Sequence, residues 1–411
     1  MSQKKEVLRN LLSFGSIDVL GLLIPIITMP ILTRALGPTQ YGQLILFLMI
    51  MVFGHTIIDY GSQFIGVRAL SKRRKSHKCV NAIYMRVQGL RIALSVVYYF
   101  FASLYCFVFD LGSLSIFIYT FGAVYLLGYA LTPIWFYQGM GDTFPLLNVS
   151  LLVKMIHFLA IVFLVENSED LIIPIMSMTI PLMIGGLFLT FFAKNRYNLD
   201  WPICRYIVRD IKNGKDVFIG ILAPNLYNTL PTIVLGTVFP LAQFAQYAIA
   251  SKLISIIFTV QNVIAKSLFS TMSVIKTNPV RKLLLLNFAI SVIPILFILL
   301  FGEKIITMLL GQAYADVNKY FSILSLGALF LGLSNALSVG YFLPKGYDKL
   351  YRNISIRVSV VSGIITILTI YQLGLMGGAI SLTFARFLFL LDYSVNYLKL
   401  KNKKMQYKAS C

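Results

Sequence analysis

The sequence predicts an all-α membrane protein, with twelve transmembrane helices in two parallel-repeat six-helix bundles around a central cavity. Three observations predict it. Hydrophobic residues make up 58% of the chain and charged residues 12%, about half the charged share of a soluble domain. Between residues 10 and 398 lie twelve apolar runs of about twenty residues, each long enough to cross a bilayer. The loops between runs alternate in charge. Of the 36 Lys and Arg, 26 fall in the termini and the even-numbered loops, and only Arg34, Lys304 and Lys319 fall in odd ones. Positive charge stays on the cytoplasmic side during insertion, so both termini are expected there. The net charge of +21 is then an orientation device. A nucleic-acid partner is not expected, because the charge is split among short loops rather than gathered on one face.

The runs are expected at 11–33, 43–65, 88–109, 114–137, 146–165 and 171–193, then at 217–238, 246–268, 283–301, 322–343, 355–373 and 377–398. Residues 1–193 form the first bundle and 217–398 the second. A basic cytoplasmic linker, 194–216, joins them, and a basic cytoplasmic tail, 399–411, ends the chain. In the linker Ile203, Ile207, Val208 and Ile211 recur at helical spacing between Arg205, Arg209 and Lys212. The pattern fits a helix lying on the membrane surface or a solvated connector. Gln40-Tyr41-Gly42-Gln43 resembles Gln243-Phe244-Ala245-Gln246, and Gly122-Ala123-Val124-Tyr125-Leu126 resembles Gly327-Ala328-Leu329-Phe330-Leu331. Both matches lie about half a chain apart, as a parallel duplication requires.

Residues for chemistry emerge in chain order. Pro25 and Pro30 lie in the first run and Pro224 and Pro231 in the seventh, its counterpart. Proline removes a backbone donor and kinks a helix. Such paired breaks suit a central site with a bending element, or a static kink that aids packing. Pro174 and Pro181 lie in the sixth run. Charges inside spans are costly and tend to face a polar cavity. Lys154, Lys252 and Arg386 lie within the fifth, eighth and twelfth runs, and Arg34 caps the first. Against these four cations stand Asp18 and Asp59, which suit ion coupling. The excess is cationic, so the cavity is expected to take an anion such as a phosphate. Arg91, Lys266, Arg357 and Asp392 are near enough to span ends to snorkel. Asn225, Asn228 and Thr232 share one face of the seventh run, where they could line a cavity or bond another helix. Trp135-Phe136-Tyr137 reads as an interfacial aromatic belt, with sugar stacking as the lesser alternative.

Signs of catalysis are missing. The chain has no Gly-x-x-x-x-Gly-Lys phosphate loop. The acidic stretch Glu166-Asn167-Ser168-Glu169-Asp170 reads as an outer loop rather than a metal or glycosyl-transfer site. Cys79, Cys106, Cys204 and Cys411 are too scattered for a disulfide framework or a metal site. No cofactor and no metal are expected, and the protein is not expected to be an enzyme.

The opening, from Asn10-Leu11-Leu12-Ser13 through Pro25, Pro30, Leu36-Gly37-Pro38 and Tyr41-Gly42, resembles that of the polysaccharide-transport flippases of Wzx type. These belong to the multidrug/oligosaccharidyl-lipid/polysaccharide exporter superfamily. Asp59-Tyr60-Gly61, Trp135-Phe136-Tyr137-Gln138-Gly139, Leu235-Gly236, Tyr247-Ala248-Ile249-Ala250-Ser251-Lys252 and Leu310-Gly311 follow in the family's order. The resemblance implies ion-coupled alternating access in the bacterial inner membrane. It implies a lipid-linked oligosaccharide cargo on undecaprenyl pyrophosphate, moved outward for O-antigen or capsule biosynthesis. It matches the family's eighth-span lysine to Lys252, and it brings a polysaccharide polymerase and a chain-length regulator as partners. A drug or cation exporter of the same fold would be expected to have an acidic cavity. A polymerase would carry a large outer loop with arginines, whereas the longest one here is short.

Overall fold

A computed structural model describes the backbone of residues 3–204, 207–274, 280–343 and 345–409. The side chains of 3–20, 22, 223, 224, 227, 260, 262–274, 282, 339, 348 and 403–409 lie outside that description. Among the described residues the chain is helical, with no strand, and divides into two compact units, Met1–Leu222 and Ala223–Cys411. The division falls inside a helix, Ile207–Asn228. Nine described stretches are long and apolar enough to cross a membrane.

In the first unit α1 (Gln3–Asp59) departs from helical geometry at Gly37, with φ 69 and ψ 172. A side chain is strained there, and glycine is not. Pro38 follows, where its missing N–H matters least. The helix keeps helical dihedrals through Pro25 and Pro30. The departure from helical geometry lies instead at the glycine, about two turns beyond Pro30. Tyr60 and Gly61, both at positive φ, separate α1 from α2 (Ser62–Ser71). After α3 (His77–Val108) the next helix is composite. It runs as α4 (Ser113–Phe117), a π-turn over Ile118–Gly122, α5 (Ala123–Leu131) and α6 (Ile134–Met140). The break between α5 and α6 is dictated by Pro133, which drives the residue before it out of the helical region. Thr132 accordingly has ψ 99. The unit continues with α7 (Phe144–Leu164), α8 (Ile172–Tyr197) and the start of α9 (Ile207–Asn228). α5 and α8 approach closely, because a Cβ on Gly128 would strike the Met183 backbone and one on Gly186 the Gly128 carbonyl. Small residues at such contacts are how helices pack where no water drives them together.

The second unit holds the end of α9, α10 (Leu230–Val238), α11 (Leu241–Val274), α12 (Val280–Leu310), α13 (Val317–Leu337) and α14 (Asp348–Ala409). α13 packs against α11, α12 and α14 and is the centre of this unit. α14 leaves helical geometry at Gly374, with φ 59 and ψ −136.

One turn recurs in both units. α6 ends at Gly141, φ 72, with Asp142 N–H donating to Tyr137 O (3.0 Å) and Gly141 N–H to Gln138 O (3.2 Å). The π-turn Ser338–Phe342 after α13 leads to Gly346, φ 79. There Tyr347 N–H donates to Phe342 O (2.9 Å) and Gly346 N–H to Leu343 O (3.1 Å). Each is the glycine-terminated helix end that satisfies the last carbonyls, and the two lie one constant offset apart. Buried aromatics anchor both. Trp135, Phe136 and Tyr137 anchor the first with Tyr84 and Leu189, and Tyr341 and Phe342 the second with Phe389 and Tyr393. Gln43 and Gln246, from the matching tetrapeptides, donate to the first residue of α4 and to the turn ahead of α13, respectively. Gln43 reaches Ser113 Oγ (2.8 Å) and Gln246 reaches Ala313 O (3.3 Å).

Candidate functional site

The most heavily built polar feature of the first unit grows from the break at Pro133. A helix end leaves its last four carbonyls without backbone partners, and inside a membrane no bulk water replaces them. Here Thr132 N–H still reaches Tyr129 O (3.2 Å) and Ile134 N–H reaches Thr132 O (2.9 Å), and side chains supply the rest. Arg91 Nη2 donates to Tyr129 O (3.1 Å), Gln88 Nε2 to Ala130 O (2.7 Å), Thr190 Oγ1 to Leu131 O (2.6 Å) and Arg91 Nη1 to Thr132 O (2.9 Å). Four consecutive carbonyls at the end of α5 are thus held by α3 and α8. A guanidinium suits the negative end of the helix dipole.

Arg91 is fully buried, and its charge is balanced by Asp59, with Nη2 3.2 Å from Oδ1. Tyr129 OH donates to Asp59 Oδ2 at 2.7 Å. Its ring stacks on His55 at 3.5 Å between centroids and lies under the Arg91 guanidinium. Tyr125 stacks on the His55 ring at 5.5 Å. His55 Nε2 and Arg91 Nε are buried and have no hydrogen-bond partner. The sequence reading of Arg91 as a snorkelling residue is therefore corrected. The side chain turns inward, because the carbonyls opened by Pro133 and the carboxylate of Asp59 are there to receive it. Asp59, read as an ion-coupling carboxylate, carries a resident counter-charge.

The other predicted residues are placed as follows. Lys154, half-buried on α7, lies against α1, where a Cβ on Gly21 would sit 3.2 Å from its Nζ. The side chains of Asp18, Pro224 and Lys266 lie outside the described residues. Arg34 and Lys252 are exposed. Arg386 is 6% exposed on α14, with its guanidinium 4.1 Å over the Phe258 ring of α11 and against Gly327 of α13. Arg357 is tied to Asp392 by Nε–H···Oδ2 at 2.9 Å, so those two neutralise each other. Asn225 accepts from Thr229 Oγ1 (3.1 Å), and Thr232 donates to Asn228 O (3.0 Å). These are bonds within one helical strip, and they span the break at Thr229, just before Pro231. Lys154 belongs to the first unit, and Lys252 and Arg386 to the second.

Two further expectations are revised, and the acidic loop gains a structural role. Trp135, Phe136 and Tyr137 are each 0% exposed, so they form a core and not an interfacial belt or a sugar platform. Tyr137 OH donates to Leu189 O (2.7 Å) and Trp135 Nε1–H to Gln88 Oε1 (3.3 Å). In the linker, Ile203 is not helical. Its N–H donates to Met85 O (3.0 Å) and its backbone packs on Gly89, so the amphipathic pattern begins only with α9. The acidic loop at 166–170 is a cap. Asp170 Oδ2 accepts from the N–H of Glu166 (2.9 Å) and Asn167 (3.0 Å), and Asn167 Oδ1 from Glu169 N–H (2.9 Å). Among the described residues no three His, Cys, Asp or Glu come together as metal ligands.

The fold is that of solved transporters. A multidrug resistance MATE family transporter of the MOP superfamily, in an inward-facing conformation, superimposes with a TM-score of 0.70 at 14% identity, covering 93% of this chain and 95% of that one. The lipid II flippase MurJ, in an inward closed conformation, gives 0.67 at 14% identity, over 93% and 87%. A MOP superfamily transporter from Pyrococcus furiosus, described by the reversed polarity of its binding pocket, gives 0.61 at 14%, over 98% and 96%. In sequence, a protein of Escherichia coli (strain K12) named "Putative O-antigen transporter" is 23% identical over 90% of this chain and 91% of its own. One of the same name from Shigella dysenteriae is 23% identical over 94% and 98%. The family model described as polysaccharide biosynthesis protein matches residues 7–276, more than half of the chain. A chain with this match, and with apolar helices built around buried charge, belongs to the polysaccharide biosynthesis protein family.

Proposed function

We propose that this protein is a flippase. It carries lipid-linked oligosaccharide repeat units, borne on undecaprenyl pyrophosphate, across the bacterial inner membrane for O-antigen or capsule biosynthesis. The observation that carries the reading is the likeness to relatives named for O-antigen transport along nine-tenths or more of both chains. The intramembrane charges support it. Lys154, Lys252 and Arg386 are cations in apolar helices, and a pyrophosphate leaving water needs such partners. Arg34 sits where the cargo would leave. A drug or cation exporter would need the opposite polarity, and a polymerase would belong among enzymes.

The chain crosses twelve times in this reading. Gly37 and Gly374 each divide one of the nine apolar stretches, and α9–α10 adds one more. Six crossings make each half, and the recurring turn at Gly141 and Gly346 supports a duplication. Both termini are cytoplasmic, since the basic loops lie on their side. Transport proceeds by alternating access driven by an ion gradient, with Asp18 and Asp59 as the intramembrane carboxylates. The break at Thr229 before Pro231, with Asn225 and Asn228 beside it, is where the second half bends. A polymerase and a chain-length regulator would receive the product.

Deleting the gene and resolving surface polysaccharide on a gel, with complementation, tests the reading. Loss of all repeat units, with the lipid-linked unit held inside, is expected. A single unit still displayed at the surface would identify a polymerase. Unchanged polysaccharide with altered drug tolerance would identify an exporter.

A further inference from the structure

We propose that the corner Tyr60-Gly61 at the end of α1, together with Arg86 of α3, is a clamp that anchors the front half of α9 to the first unit and that transport requires. The Tyr60 ring stacks on Phe218, with centroids 4.3 Å apart and planes 19° from parallel. Its hydroxyl donates to Ile211 O (3.2 Å). Arg86 Nε–H donates to Asp210 Oδ2 (3.3 Å), and its Nη2 pairs with Oδ1. Val217 lies on Gly61, where a Cβ would come within 2.9 Å of Val217 Cγ1. Asp210, Ile211, Gly214, Val217 and Phe218 stand at helical spacing, so a single face of α9 meets the corner. Gly214 is the buried centre of that face, and a Cβ there would sit 3.0 Å from the Tyr60 ring.

The backbone of the corner supports the same reading. Tyr60 has φ 40 and Gly61 φ 81. A tyrosine in the left-handed region is strained, and it persists only where its surroundings over-determine it. Phe218, the Ile211 carbonyl and the groove left by Gly214 do so here. The chain is fastened ahead of α9 as well, since Ile203 N–H donates to Met85 O (3.0 Å) and Gly89 leaves room for the Ile203 carbonyl. The front of α9 is thus neither a helix resting on lipid nor a solvated connector. A surface helix buries its apolar stripe in the bilayer. In α9, Val217 and Phe218 are taken up by Gly61 and Tyr60, while Arg209, Lys212 and Lys215 are exposed. With the clamp closed, any bend in α9 falls beyond Phe218, toward the break at Thr229. The part of the clamp in transport rests on the function proposed above; the anchoring does not.

Hydrogen–deuterium exchange of the full-length protein in lipid nanodiscs reads the anchoring without any cargo. The test variants are Tyr60→Ala, which removes the ring, and Gly214→Leu, which suits a helix but drives a side chain into that ring. In both, the amides of 207–218 should exchange about tenfold faster or more, while those of α5 and α8 stay unchanged. Tyr60→Phe keeps the stack and should recover most of the protection. At equal protein level, Tyr60→Ala and Gly214→Leu should lose surface polysaccharide, and Tyr60→Phe should keep it. A cysteine pair tests the geometry where a variant fails to accumulate. In a chain stripped of its four native cysteines, Gly61→Cys with Val217→Cys should cross-link under mild oxidation. A Cβ on Gly61 would lie 3.4 Å from that of Val217, close to disulfide spacing. Gly61→Cys with Val208→Cys, whose second thiol is on the exposed face, should not cross-link. Unchanged exchange over 207–218 in both Tyr60→Ala and Gly214→Leu, or equal cross-linking of the two pairs, would overturn the clamp. Faster exchange with full surface polysaccharide would overturn its part in transport. The flippase reading is tested separately, by the gene deletion.

Discussion

At the scale of single residues, buried polar groups carry the fold of the first unit. Thr190→Val keeps the shape of the side chain but removes the donor to Leu131 O. Stranding a buried carbonyl costs about 1–3 kcal/mol, so the melting temperature in detergent should fall, while the same change at exposed Thr120, which bonds only within its own helix, should not lower it measurably. Arg91→Leu is expected to be worse, about 3–5 kcal/mol, because it leaves the Asp59 carboxylate buried without its cation. Adding Asp59→Asn to it should recover part of the loss, and a double-mutant cycle on thermal unfolding measures that coupling. These roles were only half legible in the sequence. Asp59 stood out as a charge inside an apolar run. Arg91 did not, because hydropathy places a charge along a helix and says nothing of which way it turns. What turns it inward is a proline in another helix, Pro133, whose effect on four carbonyls appears only once α3 and α8 are packed around them. The Trp135-Phe136-Tyr137 run was misread for a related reason: aromatic residues near a span end look alike whether they face lipid or the neighbouring helix.

At the scale of elements, glycine and not proline sets the largest departures from helical geometry. Prolines inside the first run suggested breaks there, yet α1 stays helical at Pro25 and Pro30 and breaks at Gly37. A proline interior to a helix removes one backbone bond, a loss that helices in membranes tolerate. A residue at φ 69 and ψ 172 has no such tolerance unless it lacks a Cβ. Gly37→Ala should therefore cost about 1–3 kcal/mol from backbone strain alone, although nothing lies within 4 Å to clash with the added methyl. Gly220 offers the control. It also has open space around it but sits in the regular helix α9, where alanine is favoured by about 1 kcal/mol. Opposite signs from the two substitutions, read as shifts in thermal unfolding, are the expected outcome. Equal effects would mean that local space and not backbone geometry decides. The sequence held this distinction in Leu36-Gly37-Pro38, a helix end followed by a helix start, which was read as a loop between two runs. That reading found the break but not the near-continuity of the helix across it.

At the scale of the whole molecule, helical class and apolar spans were written in the sequence as periodicity and length, which survive any ambiguity about side-chain direction. The turn that ends in Gly141 recurs at Gly346, with the same hydrogen-bond pattern, positive φ and buried aromatics. What periodicity could not say is which intramembrane cations serve the cargo. Lys154 lies against α1 and Arg386 against Phe258, each held among apolar helices of its own unit, whereas Lys319 is exposed and bridged to Asp316 at 2.6 Å, three residues away. An exposed pair of that kind contributes little, while in the proposed transport a cation in an apolar helix would set the field that a phosphate meets. Charge reversal separates the two. Lys154→Glu and Arg386→Glu should each abolish surface polysaccharide in a complementation assay, and Lys319→Glu should leave it intact, all at equal protein level in the membrane fraction. Replacement by the other cation, Lys154→Arg and Arg386→Lys, should restore part of the polymer if charge attracts the cargo. If instead the bidentate shape of the guanidinium matters, Arg386→Lys alone should fail. Full transport by Lys154→Glu or Arg386→Glu at normal level would remove that residue from the anion path.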